Sequence, residues 1–216
     1  KRCMRTIIVA ALDSSGSHNK AEFYRTLLPL ADWEIETNTT LQLYRLPCIF
    51  KQSLLELEKL ITQHKPSHLL LVAQNPENKQ VSVEKVALNV NDALQPDDNN
   101  QQPRDTLTAQ HGPAAYFSNL PVAAITSALK HSAVPARLSY TAGTYVANHV
   151  FYGLMHYIKH QNTNLQGGLL QFPLLPQQAC LEQDATSICP HLLLDAIKLV
   201  VKVCLSHNDQ MLRDAG

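Results

Sequence analysis

No sign of charge predominates in this chain: 18 Lys and Arg are matched by 18 Asp and Glu. A balanced chain casts no long-range field, so neither nucleic acid nor an anionic membrane surface is an expected partner. Long apolar runs are missing as well. Leu192 to Leu205 is interrupted by Asp195, Lys198 and Lys202, and no membrane-spanning segment is expected. Lys1-Arg2-Cys3-Met4-Arg5 shows no signal peptide. The five cysteines (Cys3, Cys48, Cys180, Cys189, Cys204) form no CxxC and are odd in number. Reduced thiols and a cytoplasmic location are the expectation. The histidines read as scattered, so no metal is expected, and no cofactor is implied. Internal repeats are absent, and biased composition is confined to Asp97 to Gln102. The glycosylation sequon Asn38-Thr39-Thr40 is of a kind that arises often by chance.

What is present suffices for one well-packed domain over residues 1–216, with 45% hydrophobic residues. Apolar runs without polar alternation read as buried strands: Thr6 to Ala11, His68 to Ala73, Val134 to Leu138 and Gly167 to Leu170. Trp33 to Thr37 with Leu41 to Tyr44 suggests a further strand. Helical spacing recurs at Lys20 to Leu30, Lys51 to His64, Pro121 to Lys130, Tyr145 to His160 and His191 to Ser206. Asn75 to Ala93 reads as a polar loop leading into Glu84 to Val90. Gln95 to Gln110 reads as a solvated excursion, and the tail from Asn208 as frayed. Strands alternating with helices predict an α/β fold, three layers deep, on a mixed, mostly parallel twisted sheet.

Ser139 to His149 organises this pattern. A short apolar strand ends, Thr141-Ala142-Gly143-Thr144 turns with Gly143 free to take an unusual φ, and a helix begins at Tyr145. A side chain in the first turn of that helix sits beside unpaired N–H groups and the positive end of the dipole. Such a setting lowers a thiol pKa and suits a cysteine nucleophile. Ala147 stands there instead. His149, about 200° round the helix from Ala147, reads as a histidine satisfied by local hydrogen bonds.

Thr141 to Tyr152 resembles the signature of pyroglutamyl peptidase I, the pyrrolidone-carboxylate peptidases of cysteine peptidase family C15. Three further blocks are similar to that family in the same order: Gly112 to Pro121, Glu84 to Ala93 followed by Pro96-Asp97-Asp98, and Leu170 to Gln178. The resemblance implies a thiolate that attacks the amide after an N-terminal pyroglutamate, a histidine that shuttles the proton and a carboxylate that orients it. It places the carboxylate at Glu84, the nucleophile at Ala147 and the base at Gln171. Only Glu84 keeps the family residue. It also implies N-terminally blocked peptides as ligands, and a homo-oligomer.

Other departures accompany these two. The family's Phe-x-Pro-Phe-Gly-Gly loop, which holds the pyrrolidone ring, is Leu12-Asp13-Ser14-Ser15-Gly16-Ser17 here, so Leu12, Ser15 and Gly16 mark a degraded ring pocket. The family's Gln-Ala-Gly-Gly-Arg is Gln74-Asn75-Pro76-Glu77-Asn78, and Tyr140 stands where an asparagine is usual. One engineered Cys-to-Ala exchange would not rewrite all of these. Three readings stay open: a catalytically inactive family member that binds or regulates, a peptidase with Ala147 engineered, and a hydrolase with a relocated nucleophile.

Overall fold

The structure, a computed structural model, describes residues 5–12, 22–35, 38–181 and 184–214, with only the backbone for 208–214. In chain order its elements are β1 (Arg5–Leu12), α1 (Glu22–Leu27), β2 (Thr39–Leu46), α2 (Gln52–His64), β3 (His68–Gln74), β4 (Val81–Glu84), β5 (Val86–Leu88), β6 (Ala115–Phe117), α3 (Val122–His131), β7 (Ala136–Ser139), α4 (Val146–His160), β8 (Gln166–Phe172), α5 (Pro176–Ala179) and α6 (Pro190–Asp214). One six-stranded sheet runs in the order β2-β1-β3-β8-β4-β7. Every junction is parallel except β8 against β4. The expected mixed, mostly parallel α/β fold is therefore found.

Strand alternation builds a core on each face of the sheet. Ile7, Val9 and Ala11 of β1 join α1, α3 and α6 on one side. Ile8, Ala10 and Leu12 join α2 and α4 on the other. Burial on both faces explains why β1 and β3 lack polar alternation, and each fully buried Ile or Leu contributes roughly 1.5–3 kcal/mol. No described helix is long and apolar enough to cross a membrane.

Four expectations need correction. Trp33 to Ile35 is not a strand, and β2 begins only at Thr39. The helix expected up to Leu30 stops at Leu27 and tightens into a 3-10 turn over Leu28–Leu30, where Pro29 lacks the N–H that an α-helix needs. The polar stretch before Lys85 holds a sheet strand, β4, whose four residues are all buried. The tail does not fray at Asn208, because α6 continues to Asp214.

β4 runs antiparallel to β8 and pairs with only part of it, and β7 lies along the other edge of β4. Ser82 lies opposite Gln171, and Glu84 opposite Leu169 on one side and Ser139 on the other. β5 follows at once and pairs antiparallel with the distant β6 in a separate two-stranded sheet. Asn148 of α4 fastens it, accepting from Leu88 N at 2.9 Å and donating to the carbonyls of Leu88 and Val90 at 2.9 and 3.1 Å.

Candidate functional site

The turn into α4 forms as the sequence predicts. Gly143 has φ 78°, with no atom near the place a Cβ would occupy. Thr144 ties the turn to the preceding loop, its hydroxyl donating to Asp92 O at 2.7 Å and its carbonyl accepting from Asp92 N at 3.0 Å. Tyr145 occupies the N-cap in extended conformation, and no side chain caps the first turn. Its ring meets Phe50 edge-on at 5.6 Å, and its hydroxyl donates to Pro96 O at 3.0 Å. Ala147, half-buried, is the second residue of the helix. The first N–H groups of α4 thus present their partial positive charge around a methyl group.

Gln171 lies on the sheet face that α4 covers, because its neighbours Leu170 and Phe172 point to the opposite core. It is buried, and both ends of its amide are engaged. Nε2 donates to Ala142 O at 3.1 Å, and Oε1 accepts from Asn75 Nδ2 at 3.0 Å. Beside it, Gln74 and Gln178 exchange amide hydrogen bonds of 2.6 and 3.1 Å. Two separate amide pairs thus brace the strand ends: Asn75–Gln171 ties β8 to the α4 turn on one face, and Gln74–Gln178 ties β3 to α5 on the other.

Glu84 shares that face, two residues down the sheet from the Gln171 level. It is 1% exposed, and its Oε2 has no hydrogen-bond partner. Burial pushes the carboxyl up to about 7, although the Ser139 hydroxyl and the Arg137 guanidinium pull the other way. Arg137 reaches back across β4, with Nε donating to Ser82 Oγ at 2.9 Å and a terminal nitrogen donating to Asn78 Oδ1 at 3.1 Å. The structure thus gathers Glu84, Gln171 and the first turn of α4 on one face. Among the described residues no hydrogen bond joins Glu84 to Gln171. A methyl group cannot attack a carbonyl, and a primary amide does not shuttle a proton at neutral pH.

Of the ring-pocket residues, Leu12 is not in the loop. It is the last residue of β1, 2% exposed in the α4-side core. Ser15 and Gly16 lie outside the described residues. Glu84 is the last residue of β4. His149 is satisfied as expected, but by distant segments. Its Nδ1 bonds Asn91 Oδ1 at 2.9 Å, and its Nε2 accepts from Lys51 N at 3.2 Å. Burial and Lys51 lower its pKa to about 4. A surface cavity of about 520 Å³, lined by Trp33, Glu34, Lys202 and Ser206, involves α6 on the far side of the sheet.

Sequence reasoning passed over two features. One is the partnership of Asn75 with Gln171, which no local signal reports. The other is His156 and His160, one turn apart on α4 with ring centroids 4.1 Å from each other. Their four-residue spacing was there to be read, so the histidines are not all scattered.

The fold has known counterparts. The family model described as pyroglutamyl peptidase matches residues 7–207. The chain is 35% identical to a pyrrolidone-carboxylate peptidase of Brevibacillus brevis, over 99% of each chain. It is 41% identical to the Pectobacterium carotovorum enzyme of that name over 76% of each. The crystal structure of pyroglutamyl peptidase I from Bacillus amyloliquefaciens superposes with a TM-score of 0.87 at 31% identity, covering 93% of this chain and 94% of that one. Pyrrolidone carboxyl peptidase from Thermococcus litoralis gives 0.88 at 29% identity, with 96% of each covered. A family model matched over residues 7–207, together with 35% identity across 99% of a curated relative, makes this chain a member of the pyroglutamyl peptidase family.

Proposed function

We propose that this chain uses the pyroglutamyl peptidase scaffold to bind N-terminally blocked peptides without cutting them. One observation carries this reading: the nucleophile position is a methyl group at Ala147, and the base position is an amide engaged at both ends, Gln171. Glu84 keeps the third position. The uncapped first turn of α4 still offers N–H groups to a ligand carbonyl or lactam, so recognition can outlast turnover. Residues 1–216 act as one unit in this reading. A cytoplasmic location and self-association belong to it as well, and sedimentation of the purified chain tests the latter.

A second reading is favoured by the relatives, which are named peptidases at 35% identity over 99% of the chain. In it the chain is a cysteine peptidase that removes N-terminal pyroglutamate, with Ala147 in place of its nucleophile.

The deciding assay follows release of a fluorophore from a pyroglutamyl amide, alongside calorimetric titration with a pyroglutamyl peptide. The binding reading expects saturable heat and no release, either from the chain itself or from Ala147→Cys. Turnover restored by Ala147→Cys alone establishes the second reading. Release by the unaltered chain, at a rate proportional to its concentration, overturns the first, and an active-site probe that labels a residue other than 147 then locates a displaced nucleophile.

A further inference from the structure

We propose that His156 and His160 form a two-imidazole site for a divalent late transition-metal ion on the outer face of α4. Residues four apart on a helix stand one above the other on the same face. Here the two ring centroids are 4.1 Å apart and the rings are inclined by 46°, close enough for one ion to reach a nitrogen on each. His160 is exposed at the last turn of the helix and His156 is half-buried beside it, so the pair opens to solvent.

The surroundings hold the inner ring in place. Tyr116 of β6 places its hydroxyl 3.0 Å from His156 Nδ1. Tyr152 stacks on the same ring with centroids 6.0 Å apart and planes 19° apart. With Nδ1 engaged by the phenol, Nε2 is left for a ligand. A metal-bound imidazole is ordinarily oriented in this way, by a hydrogen bond at its other nitrogen.

Among the described residues no third His, Cys, Asp or Glu joins the pair. The ion would keep open positions for water or for a donor from elsewhere. Two imidazoles suit Cu²⁺, Ni²⁺ and Zn²⁺, with Cu²⁺ held most tightly. His156 and His160 lie roughly 14 and 20 Å along the helix axis from Ala147 at ~1.5 Å per residue, which makes the pair separate from the Ala147 site and independent of whether that site cuts peptides.

The test uses the untagged full chain stripped of metal and titrated with Cu²⁺, Ni²⁺ or Zn²⁺ alone. Calorimetry gives stoichiometry and affinity, and electron paramagnetic resonance of the Cu²⁺ sample reports nitrogen ligands. One equivalent should bind saturably with two-nitrogen coupling, and Tm should rise by roughly a few degrees. His156→Gln or His160→Gln should each weaken binding at least tenfold. Tyr116→Phe should weaken it about tenfold through lost orientation. His131→Gln, on α3, should leave it unchanged. His160 is exposed, so His160→Gln should keep the metal-free Tm and circular dichroism, and its result stands even if another variant misfolds. Tight one-to-one binding that survives His160→Gln, or no saturable binding of any of the three ions, overturns the site.

Discussion

Asn75 donates to Gln171 Oε1 at 3.0 Å while Gln171 donates to Ala142 O at 3.1 Å, so one side chain spans from the end of β3 to the turn that starts α4. The resemblance implies an alanine at 75 and a histidine at 171, and here the two positions are joined by a hydrogen bond. A histidine placed at 171 alone would find the same neighbours: one ring nitrogen would donate to Ala142 O and the other accept from Asn75. Neither would then be free to take a proton from residue 147. In an Ala147→Cys background we expect Gln171→His to leave the apparent thiol pKa unmoved, and the addition of Asn75→Ala to lower it. The pH profile of thiol alkylation measures this directly. A pKa drop with Gln171→His alone would show that Asn75 exerts no hold on the ring.

Glu84 should set a pH dependence of stability. Its carboxyl is raised from 4.5 to about 7 in the folded chain, so the folded state holds a proton that the unfolded state has already lost. Stability from this group is fully present below about pH 4.5 and is lost as pH rises through about 7. The full loss amounts to about 3 kcal/mol at 1.36 kcal/mol per pKa unit. Glu84→Gln, which is always neutral, should therefore be more stable than the parent chain at pH 8 and similar to it at pH 5. Urea melts at the two pH values check this, and an equal difference at both would rule out an unpaired buried carboxyl.

His149 should act in the opposite sense. Burial lowers its pKa from 6.5 to about 4, so the unfolded chain takes up a proton that the folded chain refuses. The neutral ring's contribution is present above about pH 6.5 and is lost as pH falls toward 4, again by about 3 kcal/mol. The ring also bridges α4 to Asn91 and to the start of α2. His149→Gln should thus cost stability at pH 8, where those bonds are lost or weakened, and flatten the decline between pH 6.5 and 4. Thermal melts across that range show the slope, and an unchanged slope assigns the acid sensitivity elsewhere.

How far the sequence disclosed this arrangement depends on where each signal lay. β1 and β3 were legible because both faces of each strand are buried, which leaves an unbroken apolar run. β4 was not, since Val81-Ser82-Val83-Glu84 is four residues long and half polar. Its Val residues enter one core while Ser82 and Glu84 lie on the α4 face, Ser82 bonded to Arg137. The α4 turn was legible from Gly143 and the helical period after it. The Asn75–Gln171 bond was not, because it joins residues 96 positions apart and neither belongs to a local motif. His149 drew the right conclusion for the wrong neighbours: its partners lie in loops and helices whose approach only the fold determines.

The stretch read as a solvated excursion is held at several points, and its buried anchor is Asp97. Asp97, 4% exposed, accepts from Phe50 N at 2.9 Å through Oδ2 and from Asn99 N and Gln101 N at 2.9 and 2.8 Å through Oδ1. Phe50 in turn packs edge-on against Tyr145 and His149 at the start of α4, so this carboxylate links the loop to the site. Asp97→Ala leaves three backbone donors without their partner and should cost about 3 kcal/mol, given 1–3 kcal/mol for each buried group left unpaired and partial recovery by water. Asp97→Asn keeps one acceptor oxygen and should cost less. Hydrogen exchange at Phe50, Asn99 and Gln101 should accelerate together in Asp97→Ala, and exchange at Tyr145 and His149 should follow if the loop braces α4. Fast exchange confined to Asn99 and Gln101 would mean that Asp97 orders only its own turn.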